Sequence, residues 1–74
     1  MSDYITVLYR VLNQHGTEIS RVSWVYPHGR EPSPEAVQST VRLLFSSMTS
    51  AWSIRVVASD GSIAEYERDN GEER

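Results

Sequence analysis

The side chains best equipped for chemistry in this chain are arginines. Arg10, Arg21 and Arg55 lie within runs of β-branched and aliphatic residues, where a guanidinium can fork a carboxylate or grip a phosphate. All seven basic residues are arginine and lysine is absent, a usage that a GC-rich genome produces by itself. The two histidines, His15 and His28, fall in turn-like segments without metal-ligand spacing, and no acid is placed to orient either as a base. Cysteine is missing, which removes disulfides, thiolate nucleophiles and Cys-based zinc sites together. Serines are numerous, but none occupies a nucleophile-elbow context. Gly16, Gly29, Gly61 and Gly71 are isolated turn residues rather than a phosphate-binding loop. These observations predict a protein that is not an enzyme, with no catalytic residue, cofactor or metal.

Charge narrows the classes further. Ten acidic residues stand against seven basic ones, for a net charge of −3. The excess is terminal, in Glu65, Glu67, Asp69, Glu72 and Glu73; ahead of Glu65, Asp3, Glu18, Glu31, Glu35 and Asp60 balance Arg10, Arg21, Arg30, Arg42 and Arg55. A neutral body argues against general nucleic-acid affinity, which rests on phosphate neutralisation. No apolar run approaches the roughly 20 residues of a membrane span. The opening Met1-Ser2-Asp3-Tyr4 lacks the basic start of a signal peptide, so a cytoplasmic location is expected.

The elements that must position the arginines follow from periodicity. Tyr4 to Leu12 and Ile19 to Tyr26 both alternate, separated by the polar, glycine-containing loop 13–18, and read as a β-hairpin. Opposing Ile5 to Tyr26, Val7 to Trp24, Tyr9 to Val22 and Val11 to Ser20 places every large apolar pair on one face. The same register sets Arg10 against Arg21 on the other face. Pro27 ends the second strand, since it cannot donate to a ladder.

Ser33-Pro34-Glu35 then opens a helix, with Ser33 as N-cap, Pro34 in the first turn and Glu35 at the positive end of the dipole. Val37, Val41, Leu44, Phe45 and Met48 form its apolar stripe, Leu43 points away from that stripe, and fraying is expected at Thr49-Ser50. Trp52 to Ala58 and Ser62 to Arg68 read as a second hairpin. A two-residue Asp60-Gly61 turn would turn Glu65 and Glu67 inward, costing several kcal/mol for each carboxylate. A three-residue loop with left-handed Gly61 instead opposes Val56 to Ala64, Ile54 to Tyr66, Arg55 to Glu65 and Val57 to Ile63, and is the register expected.

The predicted fold is therefore α+β: a single ββαββ domain over residues 1–68, a four-stranded antiparallel sheet with one helix on one face, and a disordered acidic tail over 69–74. Its expected core is Ile5, Val7, Tyr9, Val11, Val22, Trp24, Val37, Val41, Leu44, Phe45, Met48, Ile54, Val56 and Tyr66, with Trp52 on the same sheet face. Strand order is not specified by the two hairpins. The opposite sheet face is the candidate interaction surface, carrying Leu8, Arg10, Leu12, Ile19, Arg21, Val25, Arg55, Val57 and Ile63. Such a face is ordinarily polar, and six aliphatic residues on it suggest a contact surface.

The directly opposed Arg10 and Arg21 have three readings. Their side chains splay into water, or a protein partner supplies carboxylates between them (Glu65 or Glu67 of a second copy among them), or a phosphate does. The expected function is a small, non-catalytic interaction or accessory module, a homodimer or a binder of a partner protein through the open face or an exposed edge. A nucleic-acid-binding domain using the sheet arginines is the alternative. Tyr9, Trp24, Trp52 and Tyr66 project toward the helix in these registers and so do not serve base stacking. In general character, small, lysine-free and without catalytic residues, the chain resembles accessory proteins of phages that infect GC-rich bacteria, a resemblance of type and not of motif.

Overall fold

In the computed structural model, which describes residues 3–68, the chain forms β1 (Tyr4–Leu12), β2 (Glu18–Pro27), α1 (Pro34–Ser47), β3 (Ser53–Ala58) and β4 (Ile63–Glu67). The acidic tail expected over 69–74 lies outside the described residues. The four strands make one antiparallel sheet in the order β2-β1-β3-β4, so the two hairpins join through β1 and β3 and leave β2 and β4 as edges. That junction supplies the strand order that neither hairpin specifies.

Alternation decides which face the helix covers. In β1 the odd residues Ile5, Val7, Tyr9 and Val11 are buried while the even ones are exposed or half-buried. Val41 of α1 closes over this row together with Ile54 and Val56 of β3. Val37, Leu44, Phe45 and Met48 pack around it, as the helical stripe predicts, and Leu43 is exposed. Ser33 caps the helix by accepting from the Ala36 N–H at 3.2 Å, and Pro34 is its first residue.

The helix sits over the two central strands, so residues at the edges are covered only in part. Trp24 on β2, expected in the core, is 44% exposed and meets Tyr9 edge-on, with centroids 5.5 Å apart. Trp52 is 38% exposed: β3 begins one residue later than expected, and Ala51 fills the buried position instead. The Trp52 N–H still donates to the Leu12 carbonyl at 2.8 Å, so the ladder runs past the strand's formal start.

The second hairpin has the three-residue loop that keeps its carboxylates outside. Val57 opposes Ile63, Val56 opposes Ala64, Arg55 opposes Glu65 and Ile54 opposes Tyr66. Gly61 has φ +99°, the left-handed backbone this loop requires. The first hairpin follows its expected pairs from Ile5–Tyr26 to Val11–Ser20, then shifts: a bulge at Val11/Leu12 sets Leu12 against Glu18 and leaves Ile19 as the extra residue. The Asn13 side-chain carbonyl organises that end, accepting from the N–H groups of His15 (2.9 Å) and Thr17 (3.0 Å).

After β4 the chain makes one more structural contact. The Arg68 guanidinium donates to the carbonyls of Phe45 (2.8 Å), Met48 (2.9 Å) and Ala51 (2.7 Å), and lies 5.1 Å from the Phe45 ring centroid. It thereby satisfies carbonyls at the negative end of α1 with a cation. The helix itself offers no basic residue in its last turn, so this cap comes from a distant part of the chain.

Candidate open-face interaction site

The sheet surface opposite α1 is built from cross-strand rows. Arg21, Arg10, Arg55 and Glu65 form one row across β2, β1, β3 and β4; Ser23, Leu8, Val57 and Ile63 form the next. Thr6 and Val25 continue the surface beyond the aliphatic row, while Leu12 and Ser53 flank the charged one. Alternation along each strand therefore brings eight of the nine expected interaction residues onto this face. The ninth, Ile19, is the bulged residue and is 41% exposed. Leu8, Leu12 and Val57 are half-buried, whereas Val25 and Ile63 are exposed at the sheet margins.

None of the three readings of the Arg10–Arg21 pair describes what is found. The chain supplies the intervening carboxylate itself. Glu18 Oε1 accepts from Arg10 Nε at 2.8 Å, and Glu18 Oε2 accepts from Arg21 Nε at 2.9 Å. A second Arg21 N–H reaches Oε1 at 3.3 Å. The bulge is what makes this possible, because it brings Glu18 rather than Ile19 opposite Leu12, two pairs along from the arginines and on the same face. Hydrogen bonds from Arg21 and then Arg10 hold the Glu18 carboxyl below its ordinary pKa, and Glu18 in turn holds the Arg21 guanidinium more firmly protonated. The third arginine has its own partner: Arg55 Nη2 donates to Glu65 Oε2 at 3.0 Å, the cross-strand pair read from the sequence.

With Glu67 opposite Ser53 at the β4 margin, the face carries three guanidiniums and three carboxylates, a charge-balanced stripe beside an aliphatic one. Sequence reasoning missed Glu18, since it counted the residue as part of a polar loop. The signal available was a lone carboxylate three residues before Arg21 and eight after Arg10.

Other chemistry-bearing residues are not gathered into a site. His15 and His28 are both exposed, in separate loops; the His28 N–H donates to the Asp3 carbonyl at 2.9 Å. Among the described residues there is no group of three or more His, Asp or Glu side chains that could hold a metal ion. No helix of the described residues is long and apolar enough to cross a membrane. On the helix side, a cleft of about 310 Å³ opens between the 31–37 segment and β4, lined by Ile5, Val37, Val56, Ala64 and Tyr66, with Glu31 and Asp60 at its edge. Asp60 is already engaged, accepting from the Ser62 N–H at 2.9 Å, and this bond lowers its pKa. No family model matches the chain, and no curated protein or solved structure matches it.

Proposed function

We propose that the chain is a small, non-catalytic contact module that engages a protein partner through its open sheet face. The observation that carries this reading is Glu18 bridging Arg10 and Arg21. With those guanidiniums paired within the chain and Arg55 paired to Glu65, the face offers a balanced polar stripe and an aliphatic row of Leu8, Val57 and Ile63. Charge-balanced, aliphatic surface suits a protein contact, whose centre is depleted of unpaired charge. A phosphate backbone, by contrast, would have to displace the carboxylates.

The test compares wild type with Leu8→Glu as baits for capture from the native host lysate after nuclease treatment. A protein retained by wild type and lost with Leu8→Glu supports the face; equal retention by both removes it. One observation favours the nucleic-acid alternative, namely that Arg21, Arg10 and Arg55 fall in a single row across three strands. A salt titration against duplex DNA decides that alternative. A shift at low salt that Arg10→Ala weakens supports it, and no shift in either protein ends it.

A further inference from the structure

The geometry points to β2 as the docking edge for a second copy of this chain, paired antiparallel about a two-fold axis through Ser23. The proposal does not depend on whether the open face takes a partner.

The argument starts from which backbone groups lack a neighbour. In an antiparallel ladder, pairs that exchange hydrogen bonds alternate with pairs that do not. The His28 N–H donates to the Asp3 carbonyl, so the bonded pairs along β1 and β2 continue through Ile5–Tyr26, Val7–Trp24, Tyr9–Val22 and Val11–Ser20. The even residues of β2 therefore turn their backbone groups toward β1. Arg21, Ser23 and Val25 turn theirs toward the open edge, where no described strand lies. Pro27, next in the series, has no N–H to offer. A ten-residue edge strand with three consecutive outward donor and acceptor sets is a template for another strand.

Self-complementarity selects the occupant and the register. With Ser23 on the axis, Ser23 pairs with its own copy and Arg21 pairs with Val25 of the other chain. All outward donors and acceptors of Arg21, Ser23 and Val25 then pair among themselves, and no like charges meet. On the helix side the same register opposes Trp24 to Val22 of the other copy, an aromatic against a β-branched residue at the closer, non-bonded spacing. That contact would cover Trp24, which its own helix leaves 44% exposed.

The alternatives are worse. Centring on Arg21 opposes two guanidiniums, centring on Val22 runs Val25 into the bulge at Ile19, and centring on Trp24 opposes Arg21 to a proline with no N–H to return. The β4 edge is unsuitable for self-pairing by the same test. The Ala58 N–H donates to Ser62 and the Arg68 N–H to Trp52, so Ile63, Glu65 and Glu67 face outward there. Centring on Glu65, Tyr66 or Glu67 sets glutamates against glutamates, and centring on Ile63 or Ala64 runs a glutamate into the turn at Gly61. The isologous pairing at β2 closes as a dimer and makes one eight-stranded sheet from two copies of the four-stranded one.

The chain has no cysteine, so an introduced thiol is unique. Ser23→Cys, Arg21→Cys and Val25→Cys are made at exposed positions and treated with a short bismaleimide, alone and in pairs. Facing Cα atoms in a bonded pair are about 5.5 Å apart, whereas a residue two places from the axis lies about 14 Å along the strand from its own mate. Ser23→Cys alone, and Arg21→Cys mixed with Val25→Cys, are expected to cross-link at least about tenfold faster than Arg21→Cys or Val25→Cys alone. Light scattering of the wild type is expected to rise from 8.4 kDa toward twice that mass with concentration. Ile63→Glu, on the open face but at the far strand β4, is expected to leave cross-linking unchanged in the Ser23→Cys background. A wild type that stays at the monomer mass, Ser23→Cys cross-linking no faster than Arg21→Cys, preferential pairing of Ser23→Cys with Val25→Cys, or loss of cross-linking with Ile63→Glu would each overturn the proposal.

Discussion

The two hairpins solve the same problem differently. Each places an arginine on the open face near another charge. The second pairs Arg55 with Glu65 directly across the ladder, turns through a short glycine loop, and is then tied to the helix by Arg68. The first opposes Arg10 to Arg21 and needs a bulge to bring Glu18 between them; among the described residues no side-chain hydrogen bond ties its outer strand β2 to the helix. The difference shows how a small sheet can hold one edge firmly while leaving the other available. The latched hairpin ends in carboxylates that resist self-pairing, and the unlatched one presents a neutral, half-covered edge.

Removing the latch should have the largest effect. Arg68→Ala leaves three carbonyls at the helix end without their cationic donor, and is expected to cost about 3 kcal/mol in chemical denaturation. Arg68→Lys should recover less than half of this, since one ammonium cannot reproduce the planar fork. A loss below about 1 kcal/mol for the alanine variant would mean the second hairpin is not held this way. Next comes the turn: Gly61→Ala forces a left-handed backbone on alanine at φ +99° and should cost about 1–2 kcal/mol. A cost near zero would show that the bulged loop is not what sets Glu65 and Glu67 outside.

The first hairpin is sharpened through pH. Glu18 has a folded pKa below its unfolded value, so its contribution is present above the unfolded pKa and is lost as pH falls through the folded one. Glu18→Gln should flatten the stability profile over that acidic window, and it should weaken salt's effect on wild-type stability. Identical pH profiles for the two proteins would show that the clamp contributes nothing in solution. The smallest effect belongs to the core beneath both hairpins. The Tyr9 hydroxyl is fully buried and has no hydrogen bond of good geometry; Thr40, which it approaches, donates its own hydroxyl to the Ala36 carbonyl. Burial raises the Tyr9 pKa accordingly. Tyr9→Phe is expected to leave stability unchanged or raise it by up to about 1 kcal/mol, and a clear loss would place a hydrogen bond there.

Much of this arrangement was legible in the sequence because strand periodicity is strict. The parity of residues 4–12 decided which side faces the helix, and burying Glu65 and Glu67 was costly enough to reject the two-residue turn. The misreadings came where no local rule operates. Ile19 and Glu18 compete for one ladder position, and the loop geometry set by Asn13, not hydrophobic pattern, settles it. Trp24 has a core residue's type and parity, yet it lies on an edge strand, and edge position depends on how the hairpins join. Arg68 carried no signal at all, since its partners are carbonyls from the far end of the helix.

Amide hydrogen exchange measured residue by residue at low and high protein concentration tests the contrast between the two edges most directly. The outward N–H groups of Arg21, Ser23 and Val25 should exchange rapidly when dilute and slow markedly as concentration rises, while those of Ile63, Glu65 and Glu67 stay fast throughout. Unchanged exchange on β2 at every concentration, or protection arising on β4 instead, would contradict it.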